Sequence, residues 1–192
     1  MSRPTLRTAR LELRPMTTEH LPLLQVLDRD PEVMRYLLGR ARTSEEITTY
    51  WGPRCADQDA DARGLGFWAG FAGERFIGWW DLDLADWRDR EVTPETIAEA
   101  GWRLRRDAWG EGLATEGAMA VLDYGFDALG LDQVWAETMA VNAASRGVMR
   151  KLGMRHVHSG HRLTDRSLPG VEEGEVVYAV TAEQWRLQRA RG

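Results

Sequence analysis

Lysine is almost missing from this chain. Of 25 basic residues, Lys151 is the only lysine. That leaves little room for a Schiff-base nucleophile or a lysine general base. Cysteine is reduced to Cys55 alone, which excludes an intramolecular disulfide and fits a reducing, cytoplasmic setting. No apolar run approaches the ~20 residues of a membrane helix, and Met1-Ser2-Arg3-Pro4 begins no signal-peptide core. A surplus of positive charge is lacking too: the net charge of −5 argues against a nucleic-acid surface. Repeats and low-complexity segments are absent. With 192 residues, 43% of them hydrophobic, the chain is expected to form one domain, 1–192, with a sizeable core.

What the chain does have is concentrated between Trp102 and Gly153. The pattern predicts a strand from Ile97 to Leu104, then a tight loop, then a long helix from Leu113 to Leu129. A second strand follows over Gln133–Ala140, and a shorter helix from Asn142 to Leu152, closed by Gly153. Gly110 and Gly112 stand at the mouth of the long helix. Glycine lets a backbone approach an anion with no Cβ in the way. The first helical N–H groups are unpaired and the helix dipole adds positive charge, so a phosphate fits there without a lysine. A dinucleotide fingerprint would need a third glycine where Thr115 stands. A glycine pair alone is also what any turn into a helix needs.

Two further stretches narrow the reading. Trp109-Gly-Glu-Gly-Leu-Ala-Thr-Glu116 resembles the acetyl-CoA pyrophosphate loop of the GNAT N-acetyltransferase superfamily. Asn142-Ala-Ala-Ser145 with Met149-Arg-Lys-Leu-Gly-Met154 is similar to the Asn-x-x-Ser…Lys-Leu-Gly-Phe signature of its RimJ/RimL-type branch, which acetylates ribosomal-protein N-termini and has many members with other acceptors. Thr8–Pro15 and Glu175–Trp185 look like the family's first strand and its last strand and tail, so the resemblance spans nearly the whole chain. One position departs. Asp107 stands where the loop often opens with Gln or Arg, and it is expected to face solvent or cap a turn.

The resemblance implies an α/β fold: a mixed, mostly antiparallel sheet of about seven strands flanked by helices, with two splayed parallel strands holding the pantetheine. It implies acetyl-CoA as cosubstrate, within a core of about 97–154, and no metal. The contacts it implies are Leu104 and Arg105, the loop residues Trp109, Gly110, Glu111, Gly112, Leu113, Ala114 and Thr115, and then Asn142 and Ser145. Asn142 and Ser145 are also complete as plain helix caps. Acetyl transfer to an amine needs a base for the ammonium proton, a donor for the oxyanion and an acid for the thiolate. Glu99 matches the family's base position, Glu137 on the next strand competes with it, and Ser145 stands for the acid. The alternative for Glu99 is a solvent-facing strand glutamate. The acceptor is a primary amine, of a small molecule or a peptide, and the chain is expected as a monomer or homodimer. A non-catalytic acyl-CoA-binding module and a dinucleotide-dependent oxidoreductase remain as competing readings.

Elsewhere the patterns are plainer. Leu11 and Leu13 alternate with charges in an edge-like strand ended by Pro15. Helices are expected from Thr17/Thr18 to Leu27, from Asp30 through Leu37, and after Thr43-Ser44-Glu45-Glu46. Tyr50 and Trp51 are either pocket walls or packing, and Tyr124 is packing. Residues 57–61 read as a loop, Leu65–Phe71 and Arg75–Leu84 as a hairpin, and Ala85–Thr96 as an irregular loop over the acceptor mouth. Trp79 and Trp80 must face opposite sides. His156, His158 and His161 are read as exposed residues near the acceptor end, since no cysteine and no nearby carboxylate joins them as a zinc ligand.

Overall fold

A computed structural model describes residues 3–84, 96–161 and 167–190. In chain order it contains β1 (Leu6–Arg7), β2 (Glu12–Pro15), α1 (Leu21–Asp28), α2 (Ser44–Cys55), α3 (Gln58–Ala62), β3 (Gly66–Ala72) and β4 (Arg75–Leu84). Then come β5 (Ile97–Leu104), α4 (Leu113–Asp127), β6 (Gln133–Met139), α5 (Ala143–Lys151), β7 (Arg155–Gly160), β8 (Glu175–Thr181) and α6 (Ala182–Arg189).

One eight-stranded sheet runs in the order β1-β2-β3-β4-β5-β6-β8-β7. Its pairs are antiparallel except β5 with β6, which are parallel. That exception is forced, because the connection between them carries α4 across the sheet. The count exceeds the expected seven because Leu6–Arg7 adds a short strand outside β2. β2 is therefore interior, not the edge its closing proline suggested.

Strand alternation sends two sets of side chains to two cores. Trp68, Trp80, Leu82, Ala98, Ala100 and Val134 pack against α4, α5 and α6. Ala69, Phe71, Phe76 and Trp79 pack on the opposite face against Leu24 and Leu27 of α1 and Ile47, Trp51 and Cys55 of α2. Trp79 and Trp80 thus do diverge, and both are buried. The Thr43 capping box of α2 forms as expected, with the Thr43 side chain accepting from the Glu46 N–H at 3.2 Å. Two local expectations change. Residues 31–38 form consecutive turns rather than a helix. Residues 58–62 form α3 rather than a loop, because the Asp57 carboxylate caps it by accepting the Ala60 N–H at 2.9 Å. Most of the expected loop from Ala85 to Thr96 lies outside the described residues. No helix among the described residues is long and apolar enough to cross a membrane.

Candidate active site

The parallel pair holds together only at its start. Ile97, Ala98 and Glu99 face Gln133, Val134 and Trp135, and no pairing follows. Beyond Glu99 the strands part, because β5 continues its ladder with β4 while β6 continues with β8. The fork opens into a cleft of about 1090 Å³ that runs from the N-terminus of α4 to the α2 side of the sheet. On the β4 side, Arg105 N–H donates to the Ile77 carbonyl at 2.9 Å. Strand alternation then turns the N–H and C=O groups of Ala100, Trp102 and Leu104 toward the open fork.

The loop above the fork leaves a helix N-terminus uncapped by any side chain and its backbone open at Gly110. Gly110 and Gly112 have φ of +80° and +79°, a left-handed conformation that costs other residues about 1–2 kcal/mol. A Cβ on Gly110 would meet nothing within 4 Å, so the approach to the backbone is open. Gly112 caps α4 without a side-chain bond, leaving the first-turn N–H groups directed outward. Packing fixes this terminus. The Trp80 indole donates to the Ala114 carbonyl at 3.0 Å, and Gly117 lies on the Trp80 ring where any side chain would clash. From the turn between β1 and β2, Thr8 Oγ1 and the Arg10 guanidinium donate to the Glu116 carboxylate, both at 2.6 Å. Arg10 Nη1 also donates to the Glu111 carbonyl at 3.0 Å.

Most of the residues expected from sequence converge on this cleft: Glu99, Leu104, Trp109, Gly110 and Gly112 to Thr115, then Glu137, Asn142 and Ser145. Trp109, half exposed, donates its indole N–H to the Leu104 carbonyl at 2.9 Å and so covers the end of β5. The Asn142 side chain caps α5 by accepting the Ser145 N–H at 3.2 Å and donates to Thr138 Oγ1 at 3.0 Å. Arg105 and Glu111 are not brought in. The Arg105 guanidinium instead grips Asp107 at 3.1 and 2.9 Å. This hydrogen-bonded pairing holds the Asp107 carboxyl below its ordinary range, and it keeps the acidic departure from the loop pattern at the surface. Tyr124 is packing, as expected: it is buried edge-on to Trp68 and donates to the Gly64 carbonyl. The histidines lie on or beside exposed β7, where His156 contacts Ser159 at 2.9 Å. Among the described residues no group of His, Cys, Asp and Glu is arranged to hold a metal.

The α1–α2 side of the cleft holds residues that sequence reasoning missed. Asp28 of α1 is fully buried. It accepts from Arg103 of β5 at 2.7 Å and from the Trp51 indole at 2.8 Å, and Arg42 adds an ion pair at 3.5 Å. This network ties α1 and α2 to the β5 wall of the cleft. Trp51 is thereby core, whereas Tyr50 lines the cleft between the Arg42 and Arg54 guanidiniums, 3.8 and 3.7 Å from its ring. Asp81 of β4 also reaches the cleft. Burial pushes its carboxyl well above the usual carboxylate range, the Glu99 and Asp83 charges add to the effect, and Arg103 opposes it. An alternating pattern in the sequence could have placed Asp81 beside Trp79 on the α2 face; only the strand register places it beside Glu99.

The family model described as the acetyltransferase (GNAT) domain matches residues 10–155. A relative from Aspergillus fumigatus named FsC-acetyl coenzyme A-N(2)-transacetylase is 42% identical over 98% of this chain and 81% of its own length. A protein of Bacillus subtilis described as uncharacterized, YkkB, is 30% identical over 78% of this chain and 84% of its own length. Among solved structures, the spermidine N-acetyltransferase of Vibrio cholerae with CoA and spermine superposes with a TM-score of 0.73 at 15% identity, covering 93% of this chain and 99% of that one. The ribosomal L7/L12 α-N-protein acetyltransferase RimL with CoA gives 0.72 at 18%, covering 94% and 98%. With its forked parallel strands below a glycine-lined helix terminus, the chain belongs to the GNAT family and is an N-acetyltransferase.

Proposed function

We propose that this enzyme transfers the acetyl group of acetyl-CoA to the primary amine of a small molecule by direct attack through a tetrahedral intermediate. The observation that carries the reading is the fork itself: an unpaired edge of β5 leads from the phosphate-sized cradle at Gly110–Thr115 to Glu99. In this reading the cradle takes the pyrophosphate, and Asn142 and Ser145 line the opposite wall. The fork-facing N–H groups of β5 hold the pantetheine and receive the oxyanion, where a donor fixed in advance is most effective.

Glu99 removes the ammonium proton, directly or through water, and the freed lone pair attacks the thioester carbon. Glu137 is the competing base, two strand positions beyond the fork on β6. The C–S bond then breaks, and the Ser145 hydroxyl donates to the departing thiolate. A thiol's ordinary pKa of ~8.5 makes this the mildest demand.

The name of the Aspergillus relative, an N(2)-transacetylase, supports a small-molecule amine. The Asn142–Met154 signature shared with the RimJ/RimL-type branch favours a second reading, a ribosomal-protein N-terminus. A panel of the fungal relative's substrate, polyamines, aminoglycosides and N-terminal peptides, scored by release of free CoA thiol, separates the two. Turnover confined to peptides would replace the small-molecule reading. CoA binding with no turnover on any amine would favour a non-catalytic binding module.

A further inference from the structure

Three carboxylates share the cleft face of β4 and β5: Asp81, Asp83 and Glu99. The register sets Asp83 opposite Glu99 and Asp81 opposite Gly101. Like charges directly across an antiparallel pair repel. Asp83 relieves this by turning back, where its Oδ1 accepts the Leu84 N–H at 2.8 Å. Asp81 does not turn away. Its Oδ1 is sealed from solvent and makes no hydrogen bond of normal geometry among the described residues. It fills the space where a side chain at position 101 would begin, so that any Cβ there would collide with it. Glu99 is the next residue on that face of β5.

We propose that Asp81 and Glu99 act as one proton-accepting carboxylate pair on the path of the amine, and that position 101 is glycine because Asp81 occupies its side-chain space. This rests on the reading of Glu99 as base. In the step itself, an ammonium N–H bond breaks and an O–H bond forms on Glu99. The electron pair stays on nitrogen, and the pair holds the proton until it passes to water after product leaves.

The reason for two carboxylates is electrostatic. Two charges in a poorly solvated site cannot both persist without raising the affinity of the pair for a proton. A base works best when that affinity lies near the working pH, and a lone exposed glutamate, at ~4.3, falls well short. The groups facing Asp81 fit this role. Glu99 and Asp83 are negative; against them, among the described residues, stand the Gly101 N–H and Arg103, and Arg103 is drawn off by Asp28 at 2.7 Å. Asp81 touches the reaction only through Glu99, so it is a positioning residue.

The test needs no acceptor at first. Chain labelled with carboxyl-¹³C aspartate is titrated by NMR as wild type, Asp81→Asn and Glu99→Gln. One resonance, missing in Asp81→Asn, should titrate well above the ordinary ~3.9 for aspartate and move down in Glu99→Gln. A midpoint near the ordinary value, or no response to Glu99→Gln, overturns the pair. With an acceptor from the amine panel, Asp81→Asn should shift the acid limb of kcat/KM to lower pH and cut turnover on the order of 10-fold, a fraction of the ~10²–10⁴ of a full general base. CoA affinity by calorimetry should stay at the wild-type value. An unmoved acid limb would leave Asp81 a merely structural residue. Failure of the wild type to bind CoA would sink the acetyl-transfer reading, while the titration would still decide the pair.

Discussion

At the scale of single residues, Glu99 and Asp28 have opposite consequences. Glu99 sits where pairing with β6 stops, so its chemistry is local. Glu99→Gln keeps the size and hydrogen bonding but removes the basicity. Turnover at neutral pH should fall ~10²–10⁴-fold, with CoA affinity unchanged and the deficit shrinking as pH rises and the amine deprotonates unaided. A wild-type rate at pH 7 would move the role to Glu137. Asp28 is structural. Asp28→Ala strips the shared acceptor from Arg103, Trp51 and Arg42, and breaking such a buried pair costs about 3–5 kcal/mol. Chemical denaturation should show that loss, and a variant of unchanged stability would refute the network. That Glu99 lines the cleft was legible in the sequence, because it stands a fixed distance before a recognisable loop. Asp28 was not, since Trp51 and Arg103 lie 23 and 75 residues away and no local pattern encodes such a pairing.

Among the elements, α4 carries the most. Its N-terminus is clamped to the sheet by Trp80 and to the β1–β2 turn by Thr8 and Arg10. Gly112→Val should abolish CoA binding, both by placing a branched side chain in the cradle and by straining a φ of +79°. Binding equal to wild type in calorimetry would refute the loop assignment. Arg10→Ala should act more mildly. It frees the Glu111 carbonyl and half of the Glu116 clamp in an exposed setting worth ~1 kcal/mol. CoA Kd should therefore rise about fivefold, and no change would show that the clamp is idle. The glycine pair and the amphipathic period made α4 readable in advance. β1 and α3 were missed for the opposite reason: β1 is a two-residue strand and α3 a five-residue helix. Both are too short to show a period, and they form only because neighbouring elements or a side-chain cap complete their hydrogen bonds.

For the whole molecule, the cleft carboxylates impose a pH signature. A carboxyl raised above its unfolded pKa contributes stability in full below ~3.9, and that contribution is lost as pH rises through the folded value. Burial raises Asp83 in the same sense as Asp81. Asp81→Asn should therefore match wild type in Tm near pH 4 and exceed it at pH 8, by ~2–4 °C for each kcal/mol of relieved repulsion. A lower Tm at pH 8 would show that the Asp81 charge is stabilising. Glu46 runs the other way. Its hydrogen bond to Arg40 draws it to about 2, so its contribution is present above the usual glutamate range and lost as pH falls toward that value. The two-faced sheet was foreseeable from alternating Trp79 and Trp80, and the splayed parallel pair from the family resemblance, but the residue at which the fork opens was not, because it depends on where β6 leaves β5 for β8.

Cys55 ends α2 on its buried face, and burial pushes its thiol up to about 11. The reactive form of a thiol is the thiolate, so at neutral pH the folded enzyme should react with chromogenic disulfides and maleimides far more slowly than an exposed thiol does. Early colour in a continuous assay should then come from released coenzyme. The same thiol becomes a reporter of unfolding, since it reacts only when the α2 face opens.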